Sequence, residues 1–315
     1  MCEVLTVGET MVALSPKKVG KLAYASGLTM AAAGAESNTA IGLQKFGHSV
    51  KFISRFGADG FGDFLLRMLN AEGINTRHIL TDQWHPTGLM VKERKRGDTA
   101  VYYYRKNSAA SCMNIADIPD SCIADVKLVH ITGITPVLSD SCEGMICSLI
   151  EKAQFYQKQI SFDPNIRRKL WGEKNYVPLL RKFIEQSAYV LLGREEAEQL
   201  YGTSKKEKLR KYLLENTRTV VVALKDGGAG TTVLSKNSEV FIPPYPCNPI
   251  ETVGAGDAFN AGFLSGILEG KTLEICGQMG AVAGACATEC NGDYEGVPDR
   301  EELEKMLSGE KMIYR

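Results

Sequence analysis

Gly254, Ala255 and Gly256, three residues with almost no side chain, run directly into the carboxylate of Asp257. The small, apolar stretch that follows, through Leu264, reads as a helix. The unbonded amides of its first turn and the positive end of its dipole would draw an anion. Backbone without side chains can lie against a phosphate, and Asp257 would stand beside it as a base. Holding a phosphate next to a proton acceptor is the chemistry of phosphoryl transfer to an alcohol. The same four residues also suit a core helix whose first turn an aspartate stabilises.

Other polar clusters bear on that choice. Gly34-Ala-Glu-Ser-Asn38 precedes a helix; its amides and the Asn38 side chain could bond sugar hydroxyls, or simply cap the helix. Lys225-Asp-Gly-Gly-Ala-Gly230 follows an apolar strand at 219–224, at the sheet edge where ligands bind in open α/β folds. It could lie along a nucleotide, with Lys225 near its phosphates, or turn a hairpin into 231–234. The chain has neither a Walker loop nor Gly-x-Gly-x-x-Gly after its first strand, which argues against P-loop enzymes and dinucleotide dehydrogenases. In Tyr102-Tyr-Tyr-Arg105, strand alternation puts Tyr103 and Arg105 on one face. Phe162-Asp-Pro-Asn-Ile-Arg167 brings Asp163, Asn165 and Arg167 to the end of a buried strand, and Pro164 keeps them on an open loop. Two arginines converging on a pocket would suit a carboxylate substrate. Each alone is an ordinary surface or structural arginine.

The elements that must hold these groups alternate. Val4–Val7 reads as a buried strand ending at Gly8-Glu9, followed by a helix at 38–46, a strand at 50–54 and a helix at 61–71. The rhythm continues with a strand at 128–132, a helix at 142–157 and a strand at 159–162. A helix at 177–186, a strand at 189–192, helices at 195–201 and up to Leu214, and the strand at 219–224 complete it. This argues for a largely parallel sheet with helices on both faces. Two stretches, about 11–33 and 87–105, look like strands without helices, the second a hairpin turning at Gly97-Asp98. They could meet as one small sheet, forming a lid. The charge run Ser204-Lys-Lys-Glu-Lys-Leu-Arg210 reads as a solvated helix face rather than a nucleic-acid patch.

The 315 residues balance 37 Lys plus Arg against 37 Asp plus Glu, so no net field recruits nucleic acid or an acidic membrane. None of the nine cysteines forms Cys-x-x-Cys, and the four histidines lie far from them in sequence, so no zinc site is expected. An odd cysteine count, behind an N-terminus that reads as a strand rather than an export signal, points to a reducing cytoplasm. The longest uncharged small-apolar run, 275–288, is too short to span a bilayer.

Together these segments resemble the ribokinase-like, or PfkB, family of carbohydrate kinases, from Val7-Gly8-Glu9 to Gly292-Asp293 and Gly296-Val-Pro298. Gly34-Ala-Glu-Ser-Asn38, Phe56-Gly-Ala-Asp-Gly-Phe-Gly62 and the segment from Glu251 to Asp257 carry the resemblance. Within that family, Tyr103-Tyr-Arg105 with Asn107-Ser-Ala-Ala-Ser111, and the Phe162 to Arg167 segment with Leu170-Trp171, are similar to the 2-keto-3-deoxygluconate kinases. The resemblance implies one domain over 1–315, an α/β fold with a three-layer αβα core, a mostly parallel central sheet and a small β-sheet lid. It implies ATP-dependent phosphorylation of a sugar acid's terminal hydroxyl with Mg2+, leaves a K+ ion open, and suggests a homodimer or higher homo-oligomer through the lid.

Carried over position by position, Asp257 would be the general base, and Gly254, Ala255 and Gly256 would form the anion hole. Gly34, Asn38, Tyr103, Arg105, Arg167 and Asp293 would hold the sugar acid. Asn165, Lys225, Gly228 and Gly230, with Gly254 and Gly256, would line the nucleotide, and Glu196 would help organise magnesium indirectly. Two positions depart from the family pattern: Glu251 stands where Asp is usual, and Gly193 where Asn is common. A fructokinase or ribokinase acting on a neutral sugar is the alternative. A sugar-binding regulator that catalyses nothing is the reading from another class.

Overall fold

The computed structural model describes residues 2–95 and 98–309. In chain order its first half contains β1 (Val4–Val7), β2 (Met11–Pro16), β3 (Leu28–Ala33), α1 (Ala35–Lys45), β4 (Val50–Gly57), α2 (Gly60–Ala71), β5 (Ile79–Asp82), β6 (Leu89–Lys95) and β7 (Asp98–Tyr104). Next come α3 (Asp120–Ala124), β8 (Leu128–Thr132), α4 (Asp140–Phe155), β9 (Gln159–Asp163), α5 (Val177–Gln186), β10 (Tyr189–Gly193), α6 (Arg194–Tyr201) and α7 (Lys206–Leu214). The last part holds β11 (Val221–Lys225), β12 (Thr231–Ser235), β13 (Glu239–Ile242), α8 (Ala255–Leu268), α9 (Leu273–Thr288) and α10 (Arg300–Ser308).

Nine strands form one sheet in the order β13-β12-β11-β10-β9-β8-β1-β4-β5. The pairings from β11 to β5 are parallel, and β12 and β13 turn back antiparallel. The parallel strands are short runs buried along their whole length, such as Val4–Val7 and Leu128–Thr132, because helices cover both faces. Side chains alternate between two cores. Leu5 and Val129 point to one, under α4, α5 and α7 through Leu149, Phe183 and Leu213. Val4 and Leu128 point to the other, under α1, α2, α8 and α9 through Leu43, Leu65, Phe263 and Val282. Small residues let α8 and α9 lie close together, which accounts for the uncharged run at 275–288 as buried packing. Among the described residues no helix is long and apolar enough to cross a membrane.

The two stretches that break the alternation do meet, as a four-stranded sheet in the order β3-β2-β6-β7. β2 and β6 run parallel, and the outer pairs antiparallel. Lys95 stands opposite Asp98; Gly97 of the expected turn lies outside the described residues. One face gathers Met11, Ala13, Ala33, Met90 and Tyr103. Register puts Met30, Leu14, Val91 and Tyr102 side by side on the other.

Two differences from the sequence reading have physical causes. The helix expected at 38–46 begins at Ala35, since Glu36 and Ser37, polar residues that resemble a loop, are buried helical residues. Glu36 is satisfied inside by the hydroxyls of Thr132 (2.7 Å) and Thr135 (2.6 Å). β5 and β13 escape a periodicity reading because each has only four residues with polar ones mixed in.

Candidate active site

α8 starts behind Gly254, whose φ of +82° is a left-handed conformation that side chains resist. A Cβ there would also collide with the backbone carbonyl of Asp293. Ala258 N–H closes the first turn on the Gly254 carbonyl at 2.9 Å, and Ala255 N–H makes only a long 3.4 Å bond to the Thr252 carbonyl. The amides of Gly254, Ala255 and Gly256 thus lie at or ahead of the start of the helical ladder. Gly256 is exposed, and a Cβ built on it meets only Lys225 Nζ, at 3.9 Å. Open space lined by helix-start amides and faced by an ammonium is what an anion needs.

Asp257 sits directly beneath this opening and is 8% exposed. Asn38 Nδ2 donates to its Oδ2 at 2.9 Å, and Asn165 Nδ2 to its Oδ1 at 3.5 Å. Asn165 is held at φ +38°, its own N–H on Asp163 Oδ1 at 3.0 Å. Burial pushes the Asp257 carboxyl up to about 7; the Asn38 bond and Arg167 pull it down, while Asp163 and Asp293 push it further up. A carboxylate with that proton affinity can exchange a proton near neutral pH. The side-chain oxygens of Asn38 and Asn165 are buried beside it without partners, acceptors that a bound hydroxyl would satisfy.

The remaining predicted residues fall into three groups around this centre. Lys225 Nζ donates to Asp163 Oδ2 (3.1 Å) and Asn260 Oδ1 (3.0 Å). The glycine turn after it is a hairpin, with β11 and β12 antiparallel and Asp226 N–H on the Gly230 carbonyl at 2.9 Å. Gly228 is exposed, whereas Gly230 is buried against β13.

Glu196 is committed to backbone: Oε1 accepts from Ile166 N–H at 2.7 Å and Oε2 from Gly193 N–H at 2.8 Å. A side chain at 193 would start 2.9 Å from Glu196 Oε2, so glycine there leaves the carboxylate room to take that amide. Burial, then Asp163, raises the Glu196 carboxyl. Among the described residues no group of three His, Cys, Asp or Glu could hold a metal ion by itself.

The third group surrounds the lid. Arg105 donates from Nε to Glu9 Oε2 at 2.6 Å, and its Nη2 reaches the same oxygen. Ser108 Oγ donates to Glu9 Oε1 at 2.5 Å, and the guanidinium lies 5.7 Å from the Tyr103 ring centre. Gly34 packs on the Glu9 carbonyl. Arg167 is exposed, with its charge felt at Asp257. Asp293 accepts from Lys92 Nζ at 3.2 Å. Of the two arginines that the sequence suggests converge on a pocket, Arg105 is already braced by the Glu9 carboxylate. Sequence reasoning missed Glu9 as that brace, although Val7-Gly8-Glu9 marks the end of the first strand, and missed Lys92 altogether.

Comparison with known proteins places the chain. The family model described as pfkB family carbohydrate kinase matches residues 1–300. The 2-dehydro-3-deoxygluconokinase of Bacillus subtilis is 34% identical, over 99% of this chain and 98% of that protein. A crystal structure of a PfkB protein from Polaromonas superposes with a TM-score of 0.87 at 31% identity, covering 96% of this chain and 99% of that one. An uncharacterised sugar kinase of Pyrococcus horikoshii, in complex with ATP, does so with a TM-score of 0.85 at 26% identity, covering 96% and 97%.

Proposed function

The chain belongs to the pfkB family of carbohydrate kinases and has the ribokinase-like fold, and from that premise we propose that it phosphorylates the terminal hydroxyl of 2-keto-3-deoxygluconate, giving the 6-phosphate. The name of the Bacillus subtilis relative supports this acid, 2-dehydro-3-deoxygluconate being the same compound. One observation carries the chemistry: Asp257, held by two amides beneath an open anion cradle, has a proton affinity near neutrality.

Asp257 accepts the proton of the acceptor hydroxyl. An alcohol is a far weaker acid than the Asp257 carboxyl, so the proton moves late, and alignment with charge stabilisation supplies most of the rate. The amides of Gly254, Ala255 and Gly256 meet the charge that develops on the transferred group. Bound Mg-ATP would supply the phosphoryl group and a divalent ion to neutralise it. The residues fit that ligand: Lys225 faces the open side of Gly256, and Gly228 leaves its turn bare. Glu196, both oxygens taken by amides, would influence the metal by charge or through water.

Arg105 and Arg167 are the cations offered to the substrate carboxylate. With purified protein and Mg-ATP, ADP release should favour 2-keto-3-deoxygluconate over fructose, ribose and gluconate. Arg167→Ala should raise KM for the acid about tenfold or more, as expected for a lost charged hydrogen bond. A neutral sugar is the second reading, favoured by Glu9 already neutralising Arg105. Preference for fructose or ribose in the same assay would establish it and leave the Asp257 chemistry standing.

The lid would also join two copies. Met30, Leu14, Val91 and Tyr102 make an apolar row across its outer face, with Met30 47% and Tyr102 45% exposed. Light scattering should give twice the 34.4 kDa chain mass. Tyr102→Lys should shift the protein to the monomer; a parent that is already monomeric removes this assembly.

A further inference from the structure

Lys92 lies on β6 with Met90, on the lid face turned towards the site, and only 3% of its side chain is exposed. Its ammonium meets Glu251 Oε1 at 2.7 Å and Asp293 Oδ1 at 3.2 Å. Those carboxylates are themselves 8% and 7% exposed. Neither belongs to the lid, and they lie 159 and 201 residues away in sequence. Glu251 opens the segment that runs into Gly254. The Asp293 carbonyl is the group packed against the Gly254 Cα, where a Cβ would collide. A buried ammonium is tolerated only where such partners compensate it, so the lid has placed a charge where it grips both supports of the anion hole. Glu251 and Asp293 also repel one another, since Glu251 is among the groups that raise the Asp293 carboxyl.

We propose that Lys92 is a positioning residue for phosphoryl transfer, latching the lid onto Glu251 and Asp293 and thereby setting the spacing of the Gly254–Gly256 amides. This rests on the kinase reading of that site. While the lid is down, the ammonium holds the two carboxylates together and the anion hole is formed. When the lid lifts, the Lys92 ammonium no longer bridges the two carboxylates, and the segment that grips phosphate loosens. Closure therefore completes the anion hole, and opening helps release the phosphorylated product.

The test uses the full chain and two readouts. With Mg-ATP and the sugar acid, Lys92→Met should lower kcat about 100-fold, the effect of misplacing a catalytic group by roughly 1 Å. KM for the acid should move only a few-fold, and Lys92→Arg should keep most of the activity. Lys92→Met combined with Glu251→Gln removes one of the two carboxylates and with it their mutual repulsion, which favours folding, yet should show the same fall in kcat. In unliganded protein, hydrogen exchange of the amides at 252–257 should speed up in both Met variants. Parental kcat and unchanged exchange in the folded double variant would overturn the latch. The exchange readout needs no turnover: faster exchange at 252–257 beside a parent that phosphorylates no acceptor would sink the kinase reading while leaving the coupling of lid to loop in place.

Discussion

Asp257→Asn should lower kcat/KM by about 10³, within the range general-base catalysis supplies, while the protein stays folded. The substitution keeps the size of the side chain, removes the proton acceptor, and puts an NH2 where one amide donates, which Asn165 can meet by turning its unpartnered oxygen towards it. The parent enzyme adds a second signature. Burial raises the Asp257 carboxyl to about 7, so the reactive carboxylate is depleted below that pH. Its kcat/KM should therefore fall tenfold per pH unit on the acid side of about 7 and level off above it. In Asp257→Asn the residual rate should lose that acid limb.

Stability should move in the opposite direction. A carboxyl whose proton affinity is higher in the folded chain contributes stability at low pH, below its ordinary range, and that contribution is lost as pH rises through about 7. At pH 8 the parent carries a buried, charged Asp257 that the amide variant lacks. The melting temperature of Asp257→Asn should accordingly equal or exceed the parent's at pH 8, with the gap closing towards pH 4. Near-parental turnover in this variant would remove Asp257 from the mechanism whatever the substrate proves to be.

What the sequence makes legible here is what local pattern determines. The strands Val4–Val7 and Leu128–Thr132 and the helix Val177–Gln186 stand where periodicity places them, because burial on fixed faces imposes a period on the residues. Gly254 to Asp257 are legible too, since a helix start that admits an anion needs small residues followed by polar ones. What stays hidden is pairing across long separations. Asn38 looks like a ligand contact or a cap, but its amide is spent on Asp257, 219 residues away. Arg105 looks free because Glu9 is 96 residues upstream. Lys92 is hidden by its neighbours: within Lys92-Glu-Arg-Lys-Arg it reads as one charge in a solvated hairpin, and only the sheet's register turns it inward.

Gly254→Ala and Gly256→Ala should separate the fold's demand for glycine from the ligand's. Both remove a bare backbone position two residues apart, yet they meet different surroundings. At 254, alanine must hold φ +82°, at about 1–2 kcal/mol for a left-handed residue, and its Cβ collides with the Asp293 carbonyl. That variant should lose both thermal stability and activity. At 256 the new methyl enters open space, with only Lys225 Nζ within 4 Å, and alanine favours the helix more than glycine does. Gly256→Ala should keep or raise the melting temperature while kcat/KM for ATP falls about 100-fold, because the methyl stands where the phosphate must approach. Loss of activity without loss of stability is the outcome only a ligand-facing glycine produces. Parental activity in a stable Gly256→Ala protein would mean that the phosphate lies elsewhere, and that the first turn of α8 is a packed helix end that an aspartate stabilises.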